Sequence, residues 1–122
     1  MSSPWRYLSA SAILVNLWLA PAWGKVSRVE LNGAIDPITA EFIVKSIERA
    51  ETEQAEFLLI RIQTPGGFAV SMEEIITKML NTKVPIVAYV SPSGAKAASA
   101  GFFILLAADV AAMAPGTNTG AA

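Results

Sequence analysis

The chain has no histidine and no cysteine. The first absence removes the Ser-His-Asp triad, the Cys-His pair and every imidazole metal site from the chemistry this chain can assemble by itself. The second removes disulfides and thiolate nucleophiles, and it leaves the redox compartment unmarked. Basic residues form no block and the net charge is −1, so nucleic acid is not the expected partner. Charged residues make up 16% against 53% hydrophobic. That balance excludes disorder by composition and supplies ample material for a core. No apolar run reaches the roughly 20 residues that span a bilayer comfortably, and nothing in the pattern points to a metal or a cofactor.

Apolar length is concentrated first at the start. Arg6 precedes a mostly apolar stretch from Tyr7 to Ala20, and Ala22-Trp23-Gly24 presents small residues where a signal peptidase cuts. Residues 1–24 therefore read as a secretory signal cleaved before Lys25 rather than as an uncleaved anchor. Residues 25–122 read as one small domain at most.

Residues 26–31 (V-S-R-V-E-L) alternate apolar and polar as a half-buried strand does. Asp36-Pro37 starts a helix, with Asp36 as N-cap and Pro37 in the first turn. That helix runs to about Glu53, with Ala40, Ile43, Ile47 and Ala50 on its inner face. Residues 57–62 (F-L-L-I-R-I) form a short apolar run fit for a central parallel strand. Thr64-Pro65-Gly66-Gly67 breaks it. Ser71-Met72-Glu73-Glu74 reads as a capping box. It opens a helix striped by Met72, Ile75, Ile76, Met79 and Leu80. Residues 84–90 are the next strand and 91–94 a loop. A helix over 97–108 follows, then a short strand over 109–114 and a Gly-rich loop over 115–120. The order β-α-β-α-β-α-β predicts a parallel sheet with right-handed crossovers. In such sheets sites form at loops leaving the carboxyl ends of strands. Thr64–Gly67 and Ser91–Ser99 are two such loops from adjacent strands, and they are expected to converge.

The helix over 97–108 is hydrophobic nearly all round, which predicts burial. Its one hydroxyl, Ser99, sits near the start between Ala97-Ala98 and Ala100-Gly101. Taken alone, Ser99 is a small residue where a helix packs tightly, and Pro65-Gly66-Gly67 is an ordinary turn. Taken together they form a candidate site for acyl transfer. Ser99 is the candidate nucleophile. Backbone N–H groups of Gly66 or Gly67, with that of Ala100, are candidate oxyanion donors. The base is missing. Lys96 is nearest in sequence, but it follows Gly94 in a loop, which directs it to solvent or to a partner subunit. Asp109 suits local backbone groups and has no catalytic geometry. Two other readings stay open. Two N–H donors also polarise thioester carbonyls in acyl-CoA hydratases and isomerases, although a secretory signal fits cytosolic CoA substrates poorly. The segment also reads as a non-catalytic assembly module.

Three motifs in order carry a resemblance: I-Q-T-P-G-G at 62–67, S-G-A-K-A-A-S-A-G at 93–101 and A-M-A-P-G-T-N-T-G-A-A at 112–122. With V-E-L-N-G-A-I-D-P at 29–37, they resemble the protease domain of NfeD proteins. These are membrane-bound serine proteases of the ClpP class, related also to signal peptide peptidase A. The resemblance implies an α/β fold of ClpP/crotonase type, with repeated β-α units and a mainly parallel sheet, incomplete at the C-terminus. It implies Ser99 as nucleophile, with Gly66, Gly67 and Ala100 around the oxyanion and substrate. It implies a serine–lysine dyad, cleavage of hydrophobic segments of membrane proteins such as stomatins, homo-oligomers built through the protease domain, and a membrane-associated, extracytoplasmic location. No residue here matches the family's lysine, whose place falls beyond Ala122. The expectation is therefore an N-terminal part of such a protease, inactive alone, or a non-catalytic partner of full-length homologues.

Overall fold

The structure, a computed structural model, describes residues 24–121. Most of the expected signal segment lies outside the described residues. In chain order the elements are β1 (Val26–Asn32), α1 (Pro37–Thr52), β2 (Phe57–Gln63), α2 (Ala69–Asn81), β3 (Ile86–Val90), β4 (Lys96–Ala98), α3 (Ala100–Ala107), β5 (Val110–Met113) and β6 (Asn118–Gly120). Strands β1, β2, β3 and β5 form one parallel sheet in that order, and β4 pairs in parallel with β6 in a second, two-stranded sheet. Among the described residues no helix is long and apolar enough to cross a membrane.

The order β1-β2-β3-β5 advances in one direction across the sheet. Right-handed crossovers then place every connecting helix on the same face, and α1 packs against α2 and α2 against α3. One face of the sheet is thus sealed. Val29 and Leu31 of β1, Leu58, Ile60 and Ile62 of β2, and Ile86, Ala88 and Val90 of β3 all lie buried beneath the helices. Alternate residues, including Leu59, Arg61, Val87 and Tyr89, stay half-buried on the other face. The run at 57–62 therefore makes a central strand covered on one side only.

Helix α1 begins as its sequence dictates. Asp36 is extended, its carboxylate accepts from the Thr39 N–H at 2.8 Å, and Pro37 fills the first turn. The inner residues Ala40, Ile43, Ile47 and Ala50 are all fully buried. Helix α2 differs from expectation. It starts at Ala69 behind Phe68, with no side-chain cap, and Ser71 lies buried inside its first turn. The tertiary bond from the Phe68 N–H to the Ile35 carbonyl (2.8 Å) aligns the chain before Ser71 is reached. The stripe holds at Ile75 and Met79, whereas Leu80 is exposed.

The largest departure falls at the apolar stretch. Its first residues extend β4, and the helix begins only at Ala100. Helix α3 buries Ala100, Gly101, Ile104 and Leu105 but leaves Phe103 and Leu106 exposed. Residues 118–120, expected as loop, form β6 because β4 offers them a strand to pair with.

Candidate active site

Thr64, at the β2 exit, is only 1% exposed. Its N–H donates to the Lys96 carbonyl (2.7 Å), and its carbonyl accepts from the Ala98 N–H (3.1 Å). This isolated parallel bridge to Ala97 splices the β2 exit to β4. The chain then turns through Pro65-Gly66-Gly67. Gly66 has φ +109°, a conformation that costs an L side chain but not glycine. Its carbonyl accepts from the Ile35 N–H (2.9 Å). Gly67 lies against the Ile35 backbone so closely that an added Cβ would stand 2.0 Å from the Ile35 carbonyl oxygen.

From the other side, β4 runs into Ser99 and turns at once into α3. Ser99 has φ 53° and ψ −118°, a left-handed conformation that is rare for a residue with a side chain. A sharp strand-to-helix turn of this kind lifts a serine hydroxyl clear of the backbone in serine hydrolases. Two bonds hold the turn. The Ser99 N–H donates to the Gly120 carbonyl (2.7 Å), and the Ser99 carbonyl accepts from the Phe102 N–H (2.9 Å). The Thr119 hydroxyl adds a bond to the Ala97 carbonyl (2.7 Å).

The two loops meet. A Cβ built on Gly66 would stand 2.8 Å from Ser99 Cβ and 3.3 Å from Ser99 Oγ. Ser99 is half-buried, and no hydrogen bond to its hydroxyl is formed among the described residues. The backbone donors around it differ in availability. The Gly66 N–H donates to Thr64 Oγ1 at 3.0 Å. The N–H groups of Gly67 and Ala100 have no partner among the described residues. Ala100 opens α3, where unpaired N–H groups and the positive helix end favour negative charge.

Lys96 lies on β4, exposed, and lines a recess of about 350 Å³ with Asn32, Gln63 and Gly94. Lys96 thus sits on a strand and Ser99 at the turn after it. Asp109 serves the backbone. Its carboxylate accepts from the Ile86 N–H (2.7 Å) and ties α3's exit to β3. Among the described residues no cluster of three or more acidic, His or Cys side chains could hold a metal. Sequence reasoning missed Thr64 and the pairing of Gly120. The signal for Thr64 was present, since a threonine two residues before a glycine N–H is the pattern of a hydroxyl-capped turn.

Residues 25–122 match the family described as NfeD1b, N-terminal domain. The chain belongs to this family. Among relatives of the NfeD1b domain, this chain is 37% identical over 118 residues to the membrane-bound protease PH1510 of Pyrococcus horikoshii, covering 95% of this chain and 27% of that protein. It is 38% identical over 100 residues to the membrane protein NfeD1b of Bacillus subtilis, covering 80% of this chain and 21% of that protein. Among solved structures, it matches a lysine-to-alanine mutant of the 1510-N membrane-bound stomatin-specific protease in complex with a substrate peptide. That match has TM-score 0.79 and 40% identity, over 83% of this chain and 46% of that one. A ClpP1 mutant from Listeria monocytogenes matches with TM-score 0.66 and 25% identity, over 74% of this chain and 52% of that one. The fold is ClpP-like. The chain spans about a quarter of the length of these curated relatives and about half of the solved chains.

Proposed function

We propose that residues 25–122 form the N-terminal part of a ClpP-like serine endopeptidase domain, with Ser99 as nucleophile. The observation that carries this reading is the approach of the strained Ser99 turn to Gly66 in the Gly-Gly loop. In the proposed reaction a base takes the Ser99 hydroxyl proton as Oγ bonds to the peptide carbonyl carbon. The carbonyl electron pair moves to oxygen, where the N–H groups of Gly67 and Ala100 receive it. The glycine backbone of Gly66 leaves room for the tetrahedral centre beside Ser99. Collapse breaks the C–N bond, the amine departs with the proton, and water then hydrolyses the acyl-enzyme by the same steps.

The resemblance to NfeD proteases implies a lysine base whose place falls beyond Ala122, and Lys96, exposed on β4, is not assigned that role. Residues 25–122 without such a lysine are expected to show little or no peptidase activity. Phe68 and Val70, both largely exposed beside the Gly-Gly loop, offer apolar contacts suited to a hydrophobic peptide. This supports a membrane-protein segment as substrate, of the stomatin-like kind that the Pyrococcus protease is named for. Residues 1–24 act as a signal peptide, and the site works on the extracytoplasmic side of a membrane in a homo-oligomer.

The test is fluorophosphonate labelling of a polypeptide carrying these residues with the in-frame sequence downstream. Adduct on Ser99, lost in Ser99→Ala, is the expected result. A folded, extended protein that takes no label at Ser99 sinks the reading. The exposed apolar strand β5 favours a second reading, a non-catalytic partner of full-length homologues. Co-purification with a homologue, unaffected by Ser99→Ala and without labelling, would select it.

A further inference from the structure

Thr64 is not a candidate nucleophile, base or oxyanion donor, yet it contacts Gly66, the first turn of α3 at Gly101, and β4. Its hydroxyl oxygen accepts the Gly66 N–H at 3.0 Å. Its methyl faces Gly101, where an added Cβ would stand 2.4 Å from Thr64 Cγ2. Its main chain is bonded to β4 on both sides, through Lys96 and Ala98. Gly66 in turn faces Ser99, and Ser99 stands two residues before Gly101. The contacts close a ring: hydroxyl to Gly66, Gly66 to Ser99, Ser99 through one residue to Gly101, Gly101 to the methyl.

We infer that Thr64 is a positioning residue that fixes the Gly66–Gly67 loop against the Ser99 turn through its two γ substituents. The hydroxyl takes up the Gly66 N–H, so that the next N–H, on Gly67, is the one left open in this loop. The methyl sets the depth at which the first turn of α3 sits, and with it the Ala100 N–H. No other residue type supplies both parts at this size. Valine keeps the shape and loses the acceptor. Serine keeps the acceptor and loses the methyl. Alanine loses both. Errors of about 1 Å in such placements cost on the order of 100-fold in rate.

This inference rests on the Ser99 reading for its kinetic consequence but not for its geometry, and two readouts separate them. The first is the rate of fluorophosphonate labelling at Ser99 in the extended polypeptide. The second is amide hydrogen exchange at Gly66 and Gly67, compared with the global melting midpoint. In Thr64→Val, labelling is expected to slow by about 10- to 100-fold. Gly66 exchange should rise at least about tenfold in that variant, while the core amides of β2 and β3 stay unchanged. Thr64→Ser keeps the acceptor and loses only the methyl contact, so its labelling is expected to fall between that of the parent and that of Thr64→Val. A residue needed only for packing would give the reverse ranking, with serine worse than valine. Labelling of Thr64→Val at the parent rate, with Gly66 exchange unmoved, overturns the proposal. If Thr64→Val does not fold, Thr64→Ala against Thr64→Ser isolates the hydroxyl, and equal labelling of that pair overturns it likewise. If the parent takes no label, the Ser99 reading fails and the exchange at Gly66 alone decides the role of Thr64.

Discussion

Ser99 pays for its position in backbone strain. A non-glycine residue at φ 53°, ψ −118° sits about 1–3 kcal/mol above an ordinary conformation, and the bonds to Gly120 and Phe102 hold it there. The glycines opposite are required for a different reason. Gly67 has no room, because the obstacle to a Cβ is the Ile35 backbone at 2.0 Å, and backbone cannot rotate aside. Gly67→Ala is expected to destabilise the fold by about 3 kcal/mol, the upper end of overpacking costs, and to abolish labelling at Ser99. Gly33→Ala is the control. Gly33 has φ +91° but nothing within 4 Å of an added Cβ, so the loss there should be about 1–2 kcal/mol with labelling retained. Urea midpoints of the two variants decide the matter, and equal losses would contradict the packing argument.

Among the elements, α1 shows most directly how a local signal fixes a boundary. The Thr39 N–H donates to the Asp36 carboxylate and holds that carboxyl below its ordinary range. A folded-state pKa below the unfolded one means the carboxylate stabilises the fold above the unfolded pKa. That contribution fades as pH falls through the folded value. Asp36→Ala should therefore lower the melting midpoint at pH 7, and the gap to the parent should close as the solution is acidified below about pH 4. A gap that stays constant down to pH 2 would show that the ionised cap is not the cause. Between helices, Lys78 of α2 reaches Glu51 of α1 at 2.9 Å, and this bond holds the Glu51 carboxyl down in the same sense.

Across the whole molecule, the two edges of the four-stranded sheet are unlike. The edge at β1 carries Arg28 and Glu30, paired with each other, and Glu30 also reaches Arg61. Charges of this kind discourage strand-to-strand association. The edge at β5 has none. All four residues of Val110–Met113 are exposed, and Phe103 and Leu106 of α3 are exposed as well. An uncharged apolar edge strand is a template for self-association. Val110→Lys is expected to raise the monomer fraction in sedimentation velocity while changing folding stability by no more than about 0.5 kcal/mol. Unchanged association in that variant would move the sticky surface elsewhere.

Much of this was legible before any coordinates, and the reason is physical. Periodicity and capping act within a few residues, so the sequence by itself determined α1 from Asp36-Pro37, the β2 strand, the helical stripe at Ile75 and Met79, and the alternation that makes a parallel sheet. It also marked Ser99, Gly66 and Gly67 as residues whose loops leave the same end of adjacent strands. Tertiary structure decided whatever depends on a partner distant in sequence. Residues 96–98 extend because Thr64 and residues 118–120 pair with them, and that pairing turns a helix start into a strand-to-helix elbow. Helix α2 begins early because Ile35 binds Phe68. The Gly66 N–H is occupied because Thr64 Oγ1 reaches it within a turn whose shape the Ile35 bridge sets. Local rules chose the residues that meet at the site. Only contacts between segments far apart in the chain settled how they face one another.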